Sequence, residues 1–316
     1  MTSSYDKNKN PLLCDIETGM CEMPSAESDA STASDITFTK KSVKVIYYTD
    51  PICSACWAIE PQLRKLKLEY GHIVELEYRM GGLLPDWSYN RGGISKPSDV
   101  AHHWDEVSAY YDMPIDGNVW LEDSLSSSYP PSITFKAAQM QDNEKAISFL
   151  REIREVVFLQ KKNIAKWEHL ETAEKKAGLD VIQFNTDYNG QAKELFHEDL
   201  KLGKELGVRG FPTLFFMNIE CATVLVYGLK PYSAFENAVL KSVPSAAKSE
   251  YNKNWEALFA AFPTLTIKEF SELSGTSRNV SDKLLEELTA EGILEKQTTK
   301  NGAIWKLINN GNSPKS

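Results

Sequence analysis

Two cysteines three residues apart, Cys53 and Cys56, are the residues best suited to chemistry. Disulfide exchange needs one thiolate that attacks and a second thiol that resolves the mixed disulfide. The pattern after Cys56 predicts a helix, so Cys53 would lie at a helix N-terminus, where unpaired amides and the helix dipole stabilise a thiolate. We therefore predict that Cys53 is the catalytic nucleophile, with a lowered pKa, and that Cys56 resolves the mixed disulfide.

Other interpretations of this pair remain open. A structural zinc ion needs four ligands, and Cys14 and Cys21 are available as the other two, although they are seven residues apart. An inert pair of thiols is the third interpretation. The predicted strand before the pair and the helix after it fit a redox motif better than a zinc site. We predict no metal ligand and no cofactor.

A proline at the start of a later strand supplies the second part of the signal. Pro212 follows Phe211 and precedes an apolar run at residues 214–217. Thioredoxin folds place a cis-proline opposite the cysteine pair, and cis X–Pro bonds are otherwise uncommon. We predict a cis Phe211-Pro212 bond beside which an extended substrate pairs with the backbone; an ordinary trans proline is the alternative. The predicted substrate-binding residues are Phe211, Pro212 and Trp57.

The elements around these motifs alternate between strand and helix. Residues 43–48 and 73–80 predict strands on either side of a helix that runs from Cys56 to Tyr70, which is a βαβ unit with a parallel pair. Pro61 lies inside that helix and is expected to kink it. Later segments predict a helical insertion, a helix, a hairpin and a closing helix, at residues 97–180, 189–206, 214–227 and 232–241.

The two ends of the chain differ from this core. Residues 1–38 are polar and predict a flexible N-terminal arm. Residues 254–310 predict three helices and a hairpin turning at Asn301-Gly302, which is the plan of a small winged-helix-like domain. Cys14 and Cys21 in the arm are interpreted as reduced surface thiols, as a dithiol that relays electrons to or from Cys53, or as a metal-binding arm. Cys221 is predicted to be structural.

Composition limits the class of protein. The chain has 316 residues and a net charge of -9, so it gains no general attraction to nucleic acid or an anionic membrane. No apolar run reaches the ~18–20 residues of a membrane helix, and the N-terminus does not predict a secretory signal, so we expect a cytoplasmic location. Residues 264–316 contain seven basic and seven acidic residues, which disfavours DNA binding by the C-terminal part.

A family resemblance rests on two stretches of sequence. Residues 50–61, Asp-Pro-Ile-Cys-Ser-Ala-Cys-Trp-Ala-Ile-Glu-Pro, run on to Glu69-Tyr70-Gly71, and residues 208–213 read Val-Arg-Gly-Phe-Pro-Thr. Together they resemble the DsbA-like dithiol isomerases of the FrnE group, and more closely the SpxH (YjbH) branch. The resemblance covers residues 40–245. It implies an α/β thioredoxin fold with a DsbA-like helical insertion, here spanning residues 39–245, and exchange with protein thiols.

Three functions follow from these observations. The first is a thiol–disulfide oxidoreductase or isomerase that acts on protein thiols and disulfides. The second is a non-catalytic adaptor, because the resemblance to the SpxH branch implies binding of a transcription regulator and its delivery to the ClpXP protease. The third is a thiol-responsive regulator that uses its C-terminal domain on DNA.

Overall fold

The computed structural model describes residues 18–22, 41–89, 96–220 and 222–308. Most of the predicted arm, Cys14 and Cys221 lie outside the described residues. One part of the arm, residues 18–22, is described, and it lies against the core rather than apart from it. We call residues 18–22 the arm segment.

A mixed four-stranded sheet forms the centre, in the order β3-β2-β5-β6. β2 (Val43–Thr49) is buried along its whole length, as its nearly continuous apolar sequence predicts. It pairs in parallel with β3 (Val74–Met80) and antiparallel with β5 (Thr213–Asn218), which forms a hairpin with β6 (Thr223–Tyr227). The predicted parallel pair and hairpin are confirmed.

The helix after the cysteine pair is interrupted. α1 (Ser54–Ala58) ends at Ile59, whose backbone leaves the helical region, and α2 (Glu60–Tyr70) restarts with Pro61 in its first turn. Proline fits a first turn because the amide that it lacks has no partner there. The predicted kink at Pro61 is therefore a break between two helices.

Eight further helices of the main unit lie among the described residues. They are α3 (Pro97–Tyr111), α4 (Val119–Glu122), α5 (Tyr129–Gln141), α6 (Asn143–Leu159), α7 (Trp167–Lys176), α8 (Val181–Asn189), α9 (Ala192–Glu205) and α10 (Tyr232–Ser242), after a short 3₁₀ turn at Trp87–Tyr89. The sequence did not predict α8. Its cap is Asp180, whose carboxylate accepts from the amides of Ile182 and Gln183, both at 2.9 Å. No described helix is both long and apolar enough to span a bilayer.

Residues 255–307, the C-terminal unit, have a separate apolar core built around Phe259, Phe270 and Trp305. The unit contains α11 (Trp255–Ala261), β7 (Thr264–Thr266), α12 (Ile267–Ser274), α13 (Arg278–Ala290), β8 (Leu294–Thr299) and β9 (Gly302–Leu307). Its three strands form a sheet in the order β7-β9-β8, and β7 was not predicted. The predicted hairpin is present, whereas the winged-helix class and the domain boundaries stay predictions.

Candidate functional site around Cys53

Cys53 is the N-cap of α1, as the sequence predicts. Its Sγ accepts a hydrogen bond from the amide of Cys56 at 3.2 Å. Both cysteines are free thiols and both are completely buried. The helix thus supplies the amide that a Cys53 thiolate needs, while the surroundings exclude water from it.

The Phe211-Pro212 peptide bond is cis, as predicted. Phe211 belongs to the short strand β4 (Gly210–Phe211), and its ring lies against Gly81, just after β3. A Cβ on Gly81 would lie 1.8 Å from the Cζ atom of Phe211, so any side chain there would displace the Phe211 ring. Trp57 lies inside the core, where its Nε1 donates to the carbonyl of Pro114 at 3.0 Å and its ring stacks on Phe158. The substrate-binding roles of these residues stay predictions.

A strand from the same chain already occupies the backbone of β4. The end of the arm segment, β1 (Cys21–Glu22), runs antiparallel to it with Cys21 opposite Phe211 and Glu22 opposite Gly210. Cys21 is buried and disulfide-bonded, and the Cys53 thiol donates to its Sγ at 3.3 Å. The interpretation of Cys21 as a reduced surface thiol is therefore wrong, and the predicted flexibility of the arm does not hold for this segment.

Close backbone contacts hold the arm segment in place. The carbonyl of Gly19 accepts a hydrogen bond from the amide of Leu229 at 3.0 Å, and a Cβ on Gly228 would lie only 2.4 Å from the carbonyl oxygen of Thr18. Gly19 has a φ of 66°, and a Cβ there would lie 2.7 Å from the backbone nitrogen of Leu229. Residues that carry a side chain rarely adopt this left-handed backbone conformation, so Gly19 is required both by its conformation and by the available space.

The two thiols differ in acidity. Burial raises the pKa of Cys53, and its contact with Cys56 raises it further. Burial opposes the Cys56 thiolate as well, but the hydrogen bond from Cys53, the charge of Arg154 and the hydroxyls of Thr49 and Tyr47 outweigh it and lower the pKa of Cys56. This direction for Cys53 is opposite to the one predicted from its place at a helix N-terminus, because burial outweighs the hydrogen bond from the Cys56 amide.

Arg154 is a functional candidate that the sequence analysis missed. Its guanidinium is completely buried and donates to Glu60 at 2.5 Å, to the Thr49 hydroxyl at 2.6 Å and to the Asp50 carbonyl at 3.3 Å. It comes from α6, about a hundred residues away in sequence. The available signal was an arginine within an apolar helical stripe, between Ile153 and Val157.

Asp50 is a buried carboxyl just before the cysteine pair. It accepts hydrogen bonds from the amide of Ile52 at 3.0 Å, the amide of Leu83 at 2.8 Å and the hydroxyl of Ser128 at 2.8 Å. Burial nevertheless raises its pKa to about 6. The carboxyl therefore links the loop before Cys53 to the insertion and is harder to ionise than an exposed aspartate.

This shift predicts a pH dependence of stability. Because the folded pKa of Asp50 exceeds the unfolded value near ~3.9, its proton favours the folded state below that value, and the advantage disappears as pH rises through about 6. We subtract the free energy of unfolding of Asp50→Asn from that of wild type. This signed difference is expected to fall by ~2–3 kcal/mol from pH 4 to pH 7. Urea unfolding at several pH values measures it. Asp282→Asn, at an exposed position, is the control, and a constant difference would contradict the assignment.

A buried ion network joins this site to the C-terminal unit. Glu269 is completely buried; it receives two hydrogen bonds from Arg151, at 2.7 and 3.1 Å, and lies 3.2 Å from Arg64. Arg64 also donates to the carbonyl of Thr264 at 2.7 Å. Arg151 lies over the ring of Trp57, with its guanidinium carbon 4.4 Å from the ring centroid. A short chain of contacts therefore connects the cysteine helix to α12.

Comparison with known proteins is consistent with this architecture. A protein family described as thioredoxin matches residues 47–237. A ClpXP adapter protein SpxH from Halalkalibacterium halodurans is 30% identical over 308 residues, covering 95% of this chain and 99% of the relative. The chain belongs to the SpxH family. The SpxH from Bacillus subtilis is 29% identical and covers 85% of this chain and 90% of its own.

Solved structures share the thioredoxin-like part of this SpxH-family protein. A putative protein disulfide isomerase from Nitrosomonas europaea superposes with a TM-score of 0.56 at 20% identity, covering 66% of this chain and all of its own. The cytosolic disulfide reductase DsbM from Pseudomonas aeruginosa gives 0.51 at 20% identity, covering 63% and 98%. At this identity they establish the fold. The match to the first SpxH relative extends further and takes in the C-terminal unit.

Proposed function

We propose that this protein is an adapter that presents a client protein to the ClpXP protease. The observation that carries the proposal is the match to a relative named as a ClpXP adapter over 95% of the chain, C-terminal unit included. Two features of the site support it. Both thiols are buried, and the chain's own strand β1 fills the position beside β4 where an external substrate would pair. Binding through other surfaces needs neither thiol to be accessible, and a cytoplasmic location goes with this role.

Reconstituted proteolysis tests the adapter proposal. Purified ClpXP is mixed with a transcription regulator of the kind that the family resemblance implies, with and without the full-length protein. We expect faster degradation when the protein is present, and the same acceleration with a Cys53→Ser/Cys56→Ser double variant. Degradation that does not respond to the wild-type protein would refute the adapter role for that client.

Thiol–disulfide exchange with protein thiols is the second candidate function. The specific observation in its favour is the position of Cys53 at the start of α1. Its Sγ accepts a hydrogen bond from the Cys56 amide and lies near the β4 backbone. In that reaction Cys53 would attack a substrate disulfide and Cys56 would resolve the mixed disulfide. Its test is titration of the Cys53–Cys56 pair in glutathione buffers, followed by thiol alkylation. A reversible two-electron transition in wild type, absent from Cys53→Ser, is expected of an exchange enzyme.

The combined results separate the two functions. Accelerated proteolysis that persists in the double variant, with no turnover of external disulfides, supports an adapter whose cysteines are not needed for delivery. Turnover of protein disulfides without any effect on proteolysis supports the oxidoreductase. Loss of both activities in Cys53→Ser alone would join them in one mechanism.

A further inference from the structure

The arm segment is bound as an exchange substrate would be bound. Its strand β1 adds to β4 in antiparallel register, and that register puts Cys21 directly opposite Phe211. The sulfur of Cys21 is in contact with the sulfur of Cys53, at 3.3 Å. Cys21 is itself half of a disulfide, while Cys53 and Cys56 are both thiols. A disulfide-bonded sulfur therefore lies against a pair of reduced thiols within one chain.

We propose that the disulfide of Cys21 is an internal substrate of the Cys53–Cys56 pair, so that two electrons pass between the arm and the α1 site. The inference does not depend on the adapter role. Thiol–disulfide exchange is limited by access of one sulfur to the other, and here the backbone pairing of β1 holds both sulfurs within reach. The enclosed position of Cys53 disfavours large external disulfides as competitors.

The exchange balances without an added reagent. The Cys53 thiol loses its proton as its sulfur attacks Cys21 Sγ; a Cys53–Cys21 bond forms, the original disulfide of Cys21 breaks, and the released sulfur takes up a proton. Cys56 then loses its proton, attacks Cys53 Sγ and releases Cys21 as a thiolate that is protonated in turn. The Cys53–Cys56 pair has been oxidised to a disulfide, and the arm disulfide has been reduced to two thiols.

The surroundings of Cys56 fit its role in the second step. Arg154, Thr49 and Tyr47 surround its sulfur and favour the thiolate that must attack Cys53. The anchoring of the arm segment serves the first step. Gly19 and Gly228 allow the close approach of residues 18–22 to the turn after β6, where a side chain at either glycine would meet neighbouring atoms at less than 3 Å.

A trapping experiment tests the internal exchange. Full-length Cys56→Ser lacks the resolving thiol, and iodoacetamide caps the sulfur released from Cys21's disulfide, so the mixed disulfide cannot reverse. We expect peptide mapping by mass spectrometry to show Cys21 linked to Cys53 as the main species, with loss of the free Cys53 thiol. The matched controls are Cys53→Ser and the double variant Cys21→Ser/Cys56→Ser, in which this linked peptide must be absent. A free or alkylated Cys53 beside an unchanged Cys21 disulfide would overturn the proposal.

Wild-type protein provides a second measurement if the Cys56→Ser variant does not fold. The Cys53–Cys56 pair is reduced by a brief pulse of reductant that is then removed, and the disulfides are mapped over time without added thiol. We expect conversion of the Cys21 disulfide into a Cys53–Cys56 disulfide, at a rate unchanged by ~10-fold dilution, because the reaction is intramolecular. No conversion, or a rate proportional to protein concentration, would contradict the internal exchange.

Discussion

Replacing Glu269 by glutamine is expected to lower the free energy of unfolding by about 3–5 kcal/mol, because the change leaves buried arginine charge without its partner. Glu269 is completely buried between Arg151 and Arg64. Its second oxygen accepts from the Thr266 amide at 2.8 Å and completes the capping box of α12. Glutamine has nearly the same size as glutamate and keeps one acceptor oxygen. The loss of stability therefore measures the effect of removing the charge rather than a change in packing.

Urea unfolding of the two full-length proteins, followed by tryptophan fluorescence, measures this loss. The control is Glu272→Gln on the same helix, where the carboxylate pairs with Lys268 at 3.1 Å at a half-exposed position. We expect the control to change stability by less than ~0.5 kcal/mol. Equal effects of the two variants would contradict the assigned role of Glu269.

The effect of Glu269→Gln also has a pH dependence of known sign. Burial opposes the Glu269 carboxylate, but Arg151 and Arg64 outweigh it and lower its pKa. A lowered folded pKa gives stability that is complete above the unfolded value near ~4.3 and is lost as pH falls through the folded pKa. The difference between wild type and Glu269→Gln should therefore shrink in acid. This trend is opposite to that expected for Asp50→Asn, whose difference is largest in acid.

Gly19→Val is expected to release the arm segment and to raise the alkylation rate of Cys53 by at least ~10-fold, because a thiol reacts only when it is exposed. The valine side chain would overlap the backbone of Leu229 in a conformation that β-branched residues avoid. The substitution lies outside the apolar core of the sheet, so the fold should persist. With the shielding removed, the pKa of Cys53 should also fall toward the value expected at a helix N-terminus.

The matched control for this prediction is Gly178→Val. Gly178 has a φ of 69°, close to the 66° of Gly19, but nothing lies within 4 Å of a Cβ built there. Both variants carry the same backbone strain, and only Gly19→Val adds the clash with the arm's binding site. Timed iodoacetamide labelling with peptide mass spectrometry reports Cys53. If Gly178→Val accelerates labelling as much as Gly19→Val, general loosening rather than release of the arm is responsible.

Local patterns in the sequence predicted the central elements of the fold. The apolar run at residues 43–48, the Cys53–Cys56 spacing and the Pro212 motif are each short-range signals, and the structure contains β2, α1 and the cis bond where they were expected. The capping box at Thr266 is equally local and is present, and the predicted hairpin turns one residue earlier than expected, at Lys300-Asn301. Signals of this kind depend only on backbone preferences within a few residues.

The remainder of the site depends on contacts between distant parts of the chain. β1 has only two residues and a polar surrounding sequence, and its partner β4 lies almost 190 residues later, so no periodicity marks it as a strand. Arg154 and Arg151 face the site from α6, and although Arg154 lies within an apolar stripe, nothing local shows which distant residues it contacts. Which of the two cysteines has the higher pKa is likewise determined by contacts between distant parts of the chain. It depends on the burial of Cys53 and on Arg154, and neither was visible in the Cys-x-x-Cys motif.

The position of Arg151 has a consequence for regulation. Its guanidinium contacts Trp57 on one side and Glu269 on the other, so the cysteine helix and the C-terminal unit share one cation. If oxidation of Cys53 and Cys56 changes the affinity of the C-terminal unit for a partner, linkage requires that partner to shift the reduction potential of the cysteine pair by the same free energy. Binding of that partner would then change the reduction potential of the pair, and a change in redox poise would alter how much of the protein holds the partner.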